Sequence, residues 1–356
     1  MDATARPLGA DDILAIPGDW PERLFTASDA VTVEYRSLAK RWHPDANRTD
    51  PAAASVFAHL TTLHAEAERR AGAGLWRTPG EIRFTSLEGR SFRLRYRRSR
   101  RIEIGDLYLG SSHMAFAVER DHADLFENAR RTLAGLRYAD GAMEAEFSRY
   151  VPTVATTFET ADRLVMVAKV TDDLVLLDDL VAHFGGALDP RHAAWVISSL
   201  ANIATWLGWS GRAHGAIQPD TVMVSPRHHS AVIAGGWFHS VPFGAALLPS
   251  PEFAVRHGAP AIGPDKRATR RLDLELVRAV GRAALGDPNG TRLLNDPTVP
   301  RPMAEWLVLP SPDDAFADYR SWEGAREASF GARRYIEMDV DVDALIRTRE
   351  TSDGQR

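Results

Sequence analysis

The stretch from Val31 to Asp45 constrains the fold most, because a helical apolar spacing runs straight into a residue that ends helices. Val31, Tyr35, Leu38, Ala39 and Trp42 recur at steps of three and four, which marks one apolar helix face. Arg36 and Lys40 lie four apart on another face, with Arg41 beside them. Pro44 cannot continue the helix and biases His43 away from helical backbone angles. Asn47, Asp50 and Pro51 prolong the break, and a second helical run follows with Val56, Phe57, Leu60, Leu63 and Ala67 on its apolar side. Two facing apolar stripes with a short polar connection predict an antiparallel helical hairpin carrying His43, Pro44 and Asp45 at its tip.

Residues 10–72 on this pattern resemble a J domain, the module by which DnaJ-type co-chaperones engage Hsp70 (DnaK). The resemblance rests on the His-Pro-Asp tripeptide, the basic helix before it and the apolar helix after it. It implies a short first helix, here Asp11 to Ile16, and Trp20 to Phe25 would be an insertion foreign to the family. Carried over position by position, Arg36, Lys40, Arg41, His43, Pro44 and Asp45 would dock on Hsp70 and promote its ATP hydrolysis.

The chain has 356 residues, enough for two or three domains, and an apolar fraction of 44 % permits a sizeable core. A net charge of −5 gives no global attraction to nucleic acid or acidic membranes. Cysteine is absent, which excludes disulfides, thiolate nucleophiles and Cys-ligated zinc. Met1 to Asp12 has no apolar core of a secretion signal, and no apolar run approaches a membrane span. A cytoplasmic protein with no membrane attachment is therefore expected. Lysine is nearly missing: Lys40, Lys169 and Lys266 stand against 40 arginines, so no single arginine cluster weighs much.

Residues 71–75 read as a small flexible linker. Ile82, Phe84 and Leu87, then Phe92, Leu94 and Tyr96, alternate as two strands around a turn at Glu88 to Arg90. The second strand, running to Arg101, is strongly basic. Alternation puts Arg93, Arg95 and Arg97 opposite Phe92 and Tyr96, which favours a solvated face over a base-stacking surface. A patch for nucleic acid or another acidic partner at Arg90–Arg101 stays open as an alternative.

From Ile102 the order is strands at 102–110 and 113–118, a helix at 121–136, strands at 154–158 and 164–168, and helices at 174–184 and 190–209. Trp195 and Trp206 on the last read as core. His214 to Val224 follows, then short strands at 222–225 and 231–234. A helix at 272–281 and, after a proline-rich stretch, helices at 302–309 and 314–330 complete the chain, with a disordered tail expected from 346. This order resembles the protein-kinase fold, and residues 214–224 are similar to the kinase catalytic loop. Asp273 would start the family's buried helix.

That resemblance also implies what is missing. Phosphoryl transfer needs a base, magnesium ligands and a lysine on the phosphates. The base position is Ala216, the following lysine position Gln218, the metal-binding Asn position Thr221, and the Asp-Phe-Gly position falls at Gly235 or Gly236. The strand lysine falls at Glu119, a reversed charge. His214, Pro219 and Asp220 remain. His228 and His229 read as an exposed turn, and Asp178–Asp179 and Asp313–Asp314 as solvated or helix-start charges.

The expected fold class is thus multidomain α and α+β: a J domain (1–72), a linker and basic hairpin (73–101), a kinase-like N-lobe (102–170), a C-lobe (171–345) and a tail (346–356). The expected function is an Hsp70-recruiting co-chaperone whose inactive pseudokinase domain binds a client, with no catalytic residues, no metal and no cofactor. A structural or assembly protein with a vestigial J domain, or an atypical phosphotransferase, remain the alternatives.

Overall fold

The computed structural model describes residues 9–342, except 15, 17, 19, 20, 48, 74, 75, 77–79 and 263, together with residue 345. The expected tail from 346 lies outside the described residues. The chain divides into two compact units, residues 1–98 with 347–356 and residues 99–346.

In the first unit, α1 (Ala10–Leu14) precedes α2 (Val31–Trp42) and α3 (Ala53–Gly72). α2 stops where Pro44 requires: His43 takes extended angles, φ −62° and ψ 126°. Val31 at the start of α2 packs with Leu63 and Ala67, late in α3. Trp42 at its end packs with Val56 and Leu60, early in α3. The two helices are therefore antiparallel. Late in α3, Arg70, 7 % exposed, donates to Glu22 in the segment before α2 (3.1 Å) and to Glu66 of its own helix (2.7 Å). Trp76 packs beside Ile16, Phe25 and Val31.

The same unit carries a hairpin of β1 (Glu81–Thr85) and β2 (Ser91–Arg95), with Phe84 opposite Phe92 and Arg83 opposite Arg93. Leu87 sits in the turn and is exposed, not on the strand. Arg93 and Arg95 are exposed on one face while Phe92 and Leu94 are half-buried on the other, as alternation requires. Glu81 faces Arg83, Arg93 and Arg95 at 2.9, 3.7 and 4.0 Å. One carboxylate thus offsets part of this basic stripe.

The expected single basic strand does not run to Arg101. It breaks after Arg95, and Arg98–Ile102 forms a separate strand, β3. β3 joins β4 (Gly105–Leu109), β5 (His113–Glu119), β6 (Thr153–Glu159) and β7 (Arg163–Lys169) in a five-stranded sheet ordered β3-β4-β5-β7-β6. The sheet therefore starts at Arg98, four residues before the expected boundary at 102. β5 is central, so its run from Met114 to Val118 is buried on both faces. Gly105 is required: with φ +153°, an added Cβ would stand 2.1 Å from the Ala117 carbonyl oxygen. α4 (Ala123–Ala134) packs on the sheet with Leu125, Phe126 and Ala129.

α5 (Gly141–Phe147), capped by Asp140 on Met143 N–H, was not legible in the sequence. Its Phe147 stacks on Trp206.

The helical lobe begins with the two-residue strand β8 (Val175–Leu176) and α6 (Leu177–His183), so the expected helix at 174–184 is shorter than read. α7 (Pro190–Ser210) starts at an Asp189 cap with Pro190 in the first turn and forms the lobe's axis. Two-residue β9 (Arg212–Ala213) follows, then β10 (Val222–Ser225), β11 (Ser230–Ile233), two-residue β12 (Val241–Pro242) and α8 (Glu252–Gly258). α9 (Leu272–Ala284), α10 (Arg301–Val308) and α11 (Ala315–Phe330) close the lobe. α9 is buried nearly all round. Its Arg278 is 2 % exposed and grips Asp318 of α11 with two bonds, 2.7 and 2.6 Å. Asp314 caps α11 through Phe316 N–H and Ala317 N–H, the helix-start role expected of it.

Candidate functional site

Two places gather the nominated residues, one in each unit. The first is the tip of the α2–α3 hairpin. His43 and Asp45 are exposed and Pro44 half-buried, while Arg36, Lys40 and Arg41 project from the exposed side of α2. Among the described residues, Arg36 and Lys40 make no ion pair. The turn is held by its own backbone: His43 C=O accepts from Ala46 N–H (3.0 Å) and Asn47 N–H (3.1 Å). The His43 ring meets Phe57 edge-on at 5.2 Å, which fixes its plane. Asp45 N–H donates to His43 Nδ1 (3.2 Å). Asn47 was missed as a site residue. Its side-chain amide donates to the carbonyls of Arg41 (2.7 Å) and His43 (3.1 Å), satisfying the end of α2. An Asn three residues past a helix-ending proline was the available signal.

The second place is a loop between α7 and β10 in the helical lobe. His214 is fully buried. Its Nδ1 accepts from Ala216 N–H (3.3 Å) and its Nε2 lies 3.1 Å from the Gly235 carbonyl, so Nε2 carries the proton. Burial pushes its pKa down to about 3, helped by His239, so the ring is neutral. Asp273, at the start of α9, holds the loop from below. Its carboxylate accepts from His214 N–H (2.6 Å) and Gly215 N–H (2.9 Å). Burial raises its pKa to about 6 against those two bonds.

Thr221 Oγ1 donates to the Ala216 carbonyl at 2.7 Å and accepts from Gln218 N–H at 3.1 Å. Its hydroxyl is spent on bracing the loop. Gly236, at φ +80°, lies so close that an added Cβ would stand 2.6 Å from His214 Cε1 and 2.8 Å from the Ala216 carbonyl oxygen. The segment Gly235–Gly236 thus packs flat on the loop.

Beside this loop is a cavity of about 50 Å³, lined by Ile102, Leu107, Phe116, Leu176, Met223 and Phe238, with Gln218, Asp220, Thr221 and Gly235 at its polar end. Phe116 and Phe238, both in its wall, meet edge-to-face at 5.5 Å. The remaining space suits about one or two waters. Gln218 Oε1 and Asp220 Oδ1 line it and have no hydrogen-bond partner among the described residues. A lone buried acceptor costs about 1–3 kcal/mol, which a water between them would relieve.

Glu119 is not in this cavity, and the sequence expectation that it stands where phosphates would lie is corrected. Side chains alternate along β5, and Phe116 faces the cavity, so Glu119, three residues on, points to the other side of the sheet. There it pairs with Arg101 and, at 3.7 Å, with Arg163, while Asp106 meets the same arginines at 3.4 and 3.6 Å. Arg101 is the main reason its pKa lies below the usual carboxylate range.

Other expectations shift in the same way. Asp179 is buried, not solvated. Asp178 pairs with Arg100, and burial raises its pKa to about 6. His228 is exposed as expected, but His229 is half-buried between Trp195 (5.0 Å) and Tyr335 (4.3 Å). Trp206 is core, whereas Trp195 is only half-buried.

No family model matches this sequence, and no curated protein matches it. Among solved structures the chain is similar to "Structure of vaccinia related kinase 3", with 14 % sequence identity over 72 % of this chain and 94 % of that one, at a TM-score of 0.48. No described helix is long and apolar enough to cross a membrane.

Proposed function

We propose that this protein is a J-domain co-chaperone that recruits Hsp70 (DnaK), and that its second unit is a catalytically inactive, kinase-like binding domain for a client or partner. The observation that carries the proposal is the hairpin tip. His43 and Asp45 stand exposed, the turn that presents them is braced by Asn47, and the cations of Arg36, Lys40 and Arg41 lie on the solvent side of the adjoining helix. A docking surface for an acidic partner needs this combination of a rigid polar tip and uncommitted positive charge.

The second unit is read as kinase-like from its order of elements: a five-stranded sheet with one helix, then a helical lobe in which Asp273 clamps the loop at His214. Inactivity follows from the residues at the reacting positions. Ala216 has no proton acceptor, Thr221 is committed to the loop, and Gly235 offers no carboxylate. A space of about 50 Å³ also does not fit a magnesium–nucleotide complex, since ligand pockets run to about 300 Å³ and more. No chemical step is therefore assigned to this domain.

The test is binding to ATP-loaded bacterial Hsp70 measured on an immobilised chain. The wild-type chain binds, and His43→Gln or Asp45→Asn abolishes binding without loss of helicity. Equal binding by the wild type and both variants would remove the proposal.

A further inference from the structure

A second cavity shares only Ala234 with the one beside the loop at His214. It has a volume of about 740 Å³, within the range of small-molecule sites, and opens where the ends of β6 and β7 meet the β10–β11 turn. One wall is apolar, made by Met114, Val151 and Leu174 among others. The rest is hydroxyls, the imidazoles of His228 and His229, and two cations, Arg149 and Lys169, with no carboxylate among the lining residues.

Three details distinguish it from an ordinary crevice. Lys169, one of three lysines in the chain, makes no ion pair among the described residues. Arg149 is ordered by an ion pair with Glu146 (2.7 Å), which offsets part of its charge, and by the Tyr150 hydroxyl (2.8 Å). His229 holds a left-handed backbone at φ +46°, which a non-glycine residue adopts at a cost, and its ring is stacked between Trp195 and Tyr335. Its Nε2 is buried with no hydrogen-bond partner among the described residues. Asp173, the carboxylate behind the wall, is 2 % exposed and turned to Ser225 and Thr171.

We infer that this cavity binds a small organic anion, a phosphate monoester or a carboxylate with an apolar or aromatic body. Lys169 and Arg149 would take the charge, and the apolar wall the body. Charge-assisted bonds from two cations reward an anion and not its neutral analogue.

The experiment is titration of the full chain with 1-naphthyl phosphate and with 1-naphthoate, followed by calorimetry, with 1-naphthol as neutral control. Lys169→Ala serves as the first variant because Lys169 is exposed. Lys169→Arg is the conservative one, and Lys169→Ala/Arg149→Ala the second. Saturable binding of either anion, at least about tenfold weaker in the double variant, retained in Lys169→Arg and absent for 1-naphthol, is expected. Which anion binds more tightly separates phosphate from carboxylate ligands. Absence of saturable binding by both anions overturns the inference, and so does binding that the alanine variants leave unchanged.

Discussion

Replacing Asp273 reads the energetics of the His214 loop directly. The carboxylate is 5 % exposed and accepts two backbone bonds, from His214 N–H and Gly215 N–H. Asp273→Ala strands both donors in the core. At about 1–3 kcal/mol for each stranded group, the loss is about 2–6 kcal/mol at neutral pH. Asp273→Asn keeps one acceptor oxygen and removes the charge, so it separates hydrogen bonding from charge burial. The folded pKa is about 6 against an ordinary 3.8. An acid whose folded pKa is raised favours the folded state in its protonated form, so the wild type loses stability as pH rises from about 4 to 6. The size of that loss is about 3 kcal/mol. Asp273→Asn lacks this titration, and its stability deficit relative to wild type should therefore shrink between pH 4 and pH 7. Urea unfolding of the three proteins across that range, followed by tryptophan fluorescence, is the assay. An Asp273→Ala protein within about 1 kcal/mol of wild type would refute the clamp, and a pH-independent difference between wild type and Asp273→Asn would refute the buried charge.

Other consequences are as concrete. Gly236→Ala combines a left-handed backbone with contacts of 2.6 and 2.8 Å, and should cost about 2–4 kcal/mol in chemical unfolding. Arg278→Ala leaves Asp318 buried without its partner and should cost about 3–5 kcal/mol, with Arg278→Leu/Asp318→Leu recovering much of it in the same assay. Glu66, held near pKa 2 first by its bond to Arg69 and then by Arg70, supports the folded state above its ordinary value of 4.5 and loses that support as pH falls toward 2. Acid unfolding followed by circular dichroism should accordingly be shallower in Glu66→Gln. Magnesium-ATP should leave the melting temperature of the wild type unmoved, and a saturable rise of more than about 2 °C would count against an inactive second domain.

What the sequence made legible was local. Helical spacing and Pro44 located α2, α3 and the turn between them, because both signals act within a few residues of the backbone they shape. The start of α7, read at 190 from the sequence, is where the structure places it. Failures came where a distant partner decides the outcome. The sheet face of Glu119 is set by cross-strand register and by which side Phe116 fills, and no motif spacing encodes that. The arginine run concealed the break before β3, since strand alternation looks alike on both sides of it. His229 reads as a loop residue, yet Trp195 and Tyr335, remote in sequence, close over it. Asp273 was placed at its helix start, but its two bonds reach a loop almost sixty residues earlier.

The proposed function stands or falls on turnover. Steady-state ATP hydrolysis by a bacterial Hsp70 should rise when this protein is added, and His43→Gln, which leaves the hairpin core of Trp42, Val56 and Leu60 untouched, should lose the stimulation. Hydrolysis that is unchanged by the folded wild-type protein, or that His43→Gln stimulates equally, would contradict the co-chaperone account.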